Sequence, residues 1–204
     1  MHVPIKEKMD DRQAIQTFIH QYGFALIVSP TLEATHLPLQ LKPDEGQHGV
    51  LYGHIARENA HSGFTEGDPI LAVFTGPHSY ISPTWYASPV AVPTWNYSAV
   101  HCHGVIKKLS PQETLTQVKQ LIAQYEPSLL DDHERMPEKY QQGLLKGIIG
   151  FKIIIERIEA REKLGQHKKP ADQAGVFAAL SQSKHPDALA LASYMHKREL
   201  GTGN

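Results

Sequence analysis

The apolar positions of this chain change period several times, and the points of change outline its elements. Ile15, Phe18, Ile19 and Tyr22 recur at helical spacing behind Asp10 and Asp11, which can cap a helix, and ahead of Gly23, which can end one. Phe24-Ala25-Leu26-Ile27-Val28 is a short apolar run closed by Ser29-Pro30, the pattern of a buried strand. Residues 36–41 predict a second strand, which Pro38 confines to an edge or a bulge. Residues 50–55 and 69–74 predict a third and a fourth, with a short helical turn over 56–61. A further strand is expected over 100–106. Ser110-Pro111-Gln112-Glu113 then opens the best-marked helix, with a capping residue, a first-turn proline and a capping-box glutamate. Leu115, Val118, Ile122 and Tyr125 follow along one face of it.

A shorter helix is expected over 137–146. Phe151, Ile153 and Ile155 alternate with Lys152, Ile154 and Glu156, as in a last strand. From Lys163 the chain is more polar. Lys168-Lys169-Pro170 predicts a loop, and two helices are expected around 172–180 and 187–200. The order is strands joined by short turns, with helices at the start, late middle and end. The lack of βαβ alternation argues against a parallel doubly wound sheet. A mostly antiparallel barrel with peripheral helices satisfies this order, because closure removes exposed edges. We expect an α+β domain over 1–164 and a helical extension over 165–204, packed on the barrel or on a partner.

Composition narrows the class further. The chain has 204 residues, a formal net charge of −1 and a pI near 6.9, so no overall charge draws it to DNA or to an anionic membrane. The longest apolar run, 148–155, is interrupted by Gly150 and Lys152 and is too short to span a bilayer. No apolar segment follows the N-terminus, and Cys102 is a lone cysteine. These features predict a cytoplasmic protein.

Both tryptophans occur in one repeated triplet, Pro83-Thr84-Trp85 and Pro93-Thr94-Trp95. Tyr80, Tyr86 and Tyr97 flank them, and prolines stiffen the segment. Such aromatic surface suits a slot for a planar ligand or an anchor for a second subunit. Arg57 and Asn59, at the end of a strand, could form a phosphate-binding corner; the alternative is a solvated turn with Arg57 paired to an acid. His36 lies among apolar residues and reads as a core histidine or as a donor to a ligand. His101 and His103 share one face of a strand, a geometry open to zinc or haem iron, but no second ligand cluster supports a metal. No dinucleotide fingerprint, P-loop or nucleophile elbow occurs, and no catalytic group stands out.

Four stretches together resemble the PaiB family of bacterial FMN-binding negative transcriptional regulators. They are His36-Leu37-Pro38-Leu39; Leu51-Tyr52-Gly53-His54 with Ala56-Arg57; Val73-Phe74 and Gly76-Pro77-His78 with Tyr80-Ile81-Ser82-Pro83 and Trp85-Tyr86; and Val92-Pro93-Thr94-Trp95-Asn96-Tyr97. The likeness runs in order through Lys163-Leu164. It implies an FMN-binding split β-barrel, a homodimer with flavin at the subunit interface, and a transcription-repression label. On that resemblance, His36, His54, Arg57, Asn59, Tyr80, Ser82, Trp85, Trp95, Asn96 and Tyr97 are the candidate cofactor-binding residues. If the protein is an enzyme, it is an FMN-dependent oxidoreductase. The alternatives are a haem-handling split barrel or a dimer that has lost its cofactor. After the last strand the family reads close to Lys-Leu-Ser-Gln-Asn-Arg, whereas this chain has Lys163-Leu164-Gly165-Gln166-His167-Lys168. Thinly spread lysines and the lack of a recognition helix argue against direct DNA binding.

Overall fold

A computed structural model describes residues 1–204, apart from the side chain of Glu138. Helices are α1 (Arg12–Gln21), α2 (Pro111–Tyr125), α3 (Glu138–Leu145), α4 (Pro170–Ser181) and α5 (Pro186–Arg198). Strands are β1 (Phe24–Val28), β2 (Ala34–Pro38), β3 (Gln40–Lys42), β4 (Val50–Ala56), β5 (Pro69–Ile81), β6 (Thr94–Lys108) and β7 (Ile148–Lys163). They form one curled antiparallel sheet in the order β2-β1-β5-β6-β7-β4-β3. This is the antiparallel barrel that the strand order predicts, in the split form that the family resemblance implies.

The expected strand at 36–41 is two strands. β2 pairs with β1, Phe24 opposite Pro38 through Val28 opposite Ala34, whereas β3 pairs with β4, Gln40 opposite Tyr52. Only Leu39 separates them, yet they are the two end strands of the sheet. One residue spans at most about 3.6 Å, so the two edges must meet at Leu39 and the sheet must curl. Leu39 is fixed there by its amide, which donates to the Gly23 carbonyl at 2.8 Å, and by burial of its side chain to 2% exposure. Pro38 costs no ladder bond, because it stands on an edge strand.

The chain divides into two compact units, Met1–Phe18 with Thr75–Val100 and Glu159–Asn204, and Ile19–Phe74 with His101–Ile158. We call them the first and second units. The second has a core of Ile27, Leu51, Phe74, Ile106, Phe151 and Ile153, all fully buried. Cys102 is buried with them, which pushes its thiol up to about 12. Over its outer face, α2 begins with the predicted capping box: Ser110 Oγ accepts from Glu113 N, and Glu113 Oε2 accepts from Ser110 N at 2.8 Å.

In the first unit, Ile81, Leu164, Leu180, Leu191 and Met195 are buried, so α4 and α5 close its core. The strongest tie is polar. Glu162 on β7 is 2% exposed and accepts from Tyr194 Oη at 2.6 Å and from Arg198 Nε and Nη2 at 2.7 and 3.0 Å. Three donors from α5 meet that buried carboxylate, which is the condition for burying an acid.

Leu39→Ala should lower stability by about 2–5 kcal/mol, as expected for a truncated core leucine. Leu144→Ala on exposed α3 should cost less than about 0.5 kcal/mol. Urea unfolding of the two variants followed by circular dichroism checks the difference.

Candidate functional site

The aromatic segment is mainly strand. β5 continues through Gly76 and Pro77 to Ile81, and β6 begins at Thr94, so the expectation of a stiff loop holds only for the stretch between them. The two-residue period places His78 and Tyr80 on one face of β5. Trp95 on β6 meets both: its ring centroid is 6.3 Å from Tyr80, edge-to-face, and 6.1 Å from His78. Trp95 is 54% exposed and Tyr80 45%, so this cluster presents a broad aromatic face to its surroundings. Asn96 and Ser98 alternate to the buried side of β6.

The connection after β5 is built from short-range bonds. Ser82 caps a 3-10 turn, Pro83–Trp85, its Oγ accepting from Thr84 N at 3.2 Å. The turn rests on α4, where Gly175 lets the Trp85 carbonyl approach the helix; a methyl group at Gly175 would run into that oxygen. Farther on, Ser88 donates from its amide and its hydroxyl to Asp172, both at 2.8 Å. Those bonds hold the Asp172 carboxyl below the usual range. Burial, then the Asp172 charge, raises the neighbouring Tyr86 phenol.

Three cations contact other residues of the aromatic segment within the same unit. Lys163 donates to Thr94 Oγ1 at 2.6 Å, and Lys168 lies 5.5 Å from the Tyr86 ring centre. Arg161 donates to Tyr97 Oη at 2.7 Å while its Nε and Nη2 hold Glu7 Oε2. The divergent segment 163–168 is tied by its own side chain. Gln166 Oε1 accepts from Leu164 N at 2.9 Å, and Gln166 Nε2 donates to the Glu162 carbonyl at 2.6 Å. Gly165 takes a φ of 77°, which this turn requires.

The remaining candidates stand in the second unit. Asn59 caps the turn Ala60–Gly63, its Oδ1 accepting from His61 N at 2.9 Å. Arg57 is exposed, and its Nε and Nη2 donate to the carbonyls of Lys146 and Ile148 at 2.9 and 3.2 Å. Among the described residues it pairs with neither Glu58 nor another acid, and it lines a cavity of about 200 Å³ together with Lys108. His54 is half-buried beneath α2 with Thr114 and Gln117, and burial lowers its pKa. His36 is exposed and stacks on Phe24 at 6.0 Å; the expectation of a core position is corrected, because β2 turns that side chain outward at the sheet edge. His101 and His103 are both half-buried on β6, as their spacing requires.

The structure thus joins Tyr80 to Trp95, sets Ser82 and Trp85 in one turn, and places Asn96 and Tyr97 beside them on β6. His36, His54, Arg57 and Asn59 belong to the other unit. Sequence reasoning did not nominate His78, Thr94, Lys163 or Arg161. Alternation carried past Glu156 would have extended β7 to Lys163 and brought two of them into view.

Residues 1–157 match a family described as "Putative FMN-binding domain". The chain is also 33% identical over 207 residues to "Protease synthase and sporulation protein PAI 2" of Bacillus subtilis, covering 97% of this chain and 98% of the relative. The chain belongs to the PaiB family of FMN-binding domains. An uncharacterized protein of Emericella nidulans is 27% identical over 208 residues, covering 83% of each chain, so the relationship extends to fungi. Among solved structures, the flavocytochrome Anf3 of Azotobacter vinelandii aligns with a TM-score of 0.60 at 11% identity, over 79% of this chain and 72% of that one. An FAD- and haem-binding protein of Mycobacterium smegmatis aligns with a TM-score of 0.54 at 10% identity, over 77% and 73%. These likenesses confirm the split-barrel fold.

The cofactor of the family is FMN, and the residues present fit it. An isoalloxazine needs flat apolar surface, which the exposed Tyr80–Trp95 pair provides. A phosphate needs cationic donors, and Lys163 and Lys168 stand in the same unit as that pair.

Gly175→Ala should displace the Trp85 turn, shift tryptophan emission to longer wavelength and cost about 1–3 kcal/mol. Gly143→Ala, in a helical position with open space around it, should leave emission unchanged and stabilise by up to about 1 kcal/mol. Emission spectra and thermal unfolding of both variants decide this.

Proposed function

We propose that this chain is a homodimeric FMN-binding protein in which Tyr80 and Trp95 receive the isoalloxazine ring. The observation that carries this reading is the large exposed fraction of two aromatic side chains already fixed edge-to-face on adjoining strands. Monomers seldom leave such a patch uncovered. Val90 and Val92, exposed by 88% and 71% in the same unit, add apolar area suited to a second subunit. Arg57 is the phosphate donor in this reading, its guanidinium already oriented by two carbonyls. His36, His54 and Asn59 complete the second-unit group, and Ser82, Trp85, Asn96 and Tyr97 support the ring. Bound FMN supplies electron transfer in one- or two-electron steps. The chain's own part is to orient the ring, exclude water from one face and balance charge.

The regulatory role attached to the family runs through flavin state in this proposal, not through direct contact with DNA. The exposed face of α5 presents Asp187, Leu189, Ser193, His196 and Lys197, too little positive charge for a recognition helix. Arg198, next to it, is committed to Glu162.

FMN should quench tryptophan emission with saturation at micromolar concentration. Trp95→Ala should weaken FMN binding by about tenfold or more, consistent with loss of one stacked aromatic. Arg57→Ala should weaken it comparably while sedimentation still reports a dimer. FMN binding unchanged in both variants, with dimerisation lost in Trp95→Ala, would show that the aromatic face holds the subunits together and nothing more.

A further inference from the structure

We infer that the second unit carries a separate binding site for a small organic cation, an amine or amidine on a compact apolar body. The site is a cavity of about 340 Å³ between the β1–β2 turn, the turn Ala60–Gly63 and the start of β5. Its volume lies at the lower end of the range for small-molecule sites, about 300–1,000 Å³. Glu33, His61, Phe64, Asp68, Ile70 and Ile106 are among its walls. None of the proposed flavin contacts is among its lining residues.

The site holds a buried polar group that nothing in the chain satisfies. Asn59 Oδ1 receives the His61 backbone N–H at 2.9 Å. Thr35 Oγ1 lies 3.3 Å from that same oxygen and 2.9 Å from His61 Nδ1, so the inner nitrogen of the imidazole is already engaged. Nε2 is buried and has no partner among the described residues, in a side chain that is 4% exposed. Burial also lowers the pKa of this imidazole, against the opposing pull of Glu33.

The charge of the walls sets the class of ligand. They carry two carboxylates, Glu33 and Asp68, and neither lysine nor arginine. Asp68 Oδ2 accepts from Thr65 N at 2.7 Å, which leaves Oδ1 for a ligand. Lys108 lies 5.2 Å from the centre of the Phe64 ring and is not itself a wall residue. Both charged groups on offer are anionic, so an anion is repelled and a donor-rich cation is favoured. Phe64, Ile70 and Ile106 supply the surface for an apolar body.

Benzylamine is the probe, with benzyl alcohol and benzoate as uncharged and anionic matches. Calorimetric titration of the full chain should give saturable benzylamine binding, with both matches weaker by about tenfold or more. Glu33→Gln should weaken benzylamine at least about threefold, as loss of one close opposite charge predicts. His61→Phe should abolish binding. In the unmodified protein, benzylamine should move the His61 imidazole nitrogen resonances, a readout that stands even if His61→Phe misfolds. Benzoate binding as well as benzylamine, or unmoved His61 resonances at saturation, would overturn the assignment. So would no saturable benzylamine binding at millimolar concentration.

Discussion

A single peptide step at Leu39 governs this fold. It joins the two end strands of a seven-strand sheet, so the sheet's two edges are covalent neighbours. A twisted open sheet keeps its edges apart, and chain length alone forbids that here. The curl therefore needs no special sequence along β5, β6 or β7. It is set at one point and spread through the hydrogen-bonded ladder, from β2 through β1 on one side and from β3 through β4 on the other. The Gly23 carbonyl and the buried leucine side chain hold that point.

In the first unit, order around the aromatic face depends on three buried acids. Glu7 takes Arg161, which in turn reaches Tyr97; Glu162 takes Tyr194 and Arg198; Asp172 takes Ser88. Each acid binds a segment distant in sequence, and each is paired, as burial demands. The hydrophobic core builds the unit, but these pairs decide where its polar and aromatic side chains point. Trp95 and Tyr80 can remain exposed and still be fixed, because the strands beneath them are anchored.

Local signals were legible in the sequence where the physics is local. The capping box at Ser110 and Glu113, the run of β1 and the ends of α1 all follow from neighbouring residues. The break at Leu39 was not legible, because residues 36–41 are extended throughout and only pairing with different partners separates them. Gly76 and Pro77 hid the end of β5, since both are read as breakers. β7 was cut short for another reason: Glu162 occupies a core-facing position with a charge, and its partners on α5 lie 32 and 36 residues away. The candidate aromatic residues were readable as a type, and the pairing of Tyr80 with Trp95 needed the strand register. Arg57 was readable as a fork. Its attachment to carbonyls about ninety residues later in the chain was beyond any local pattern.

Cys102 bears on how two copies of this chain could associate. It is the sole thiol, fully buried, with its ionisation pushed up to about 12. Burial of its sulfur keeps it from the thiol of a second copy. An intermolecular disulfide therefore cannot form while the fold is intact, and any contact between two copies would have to be non-covalent.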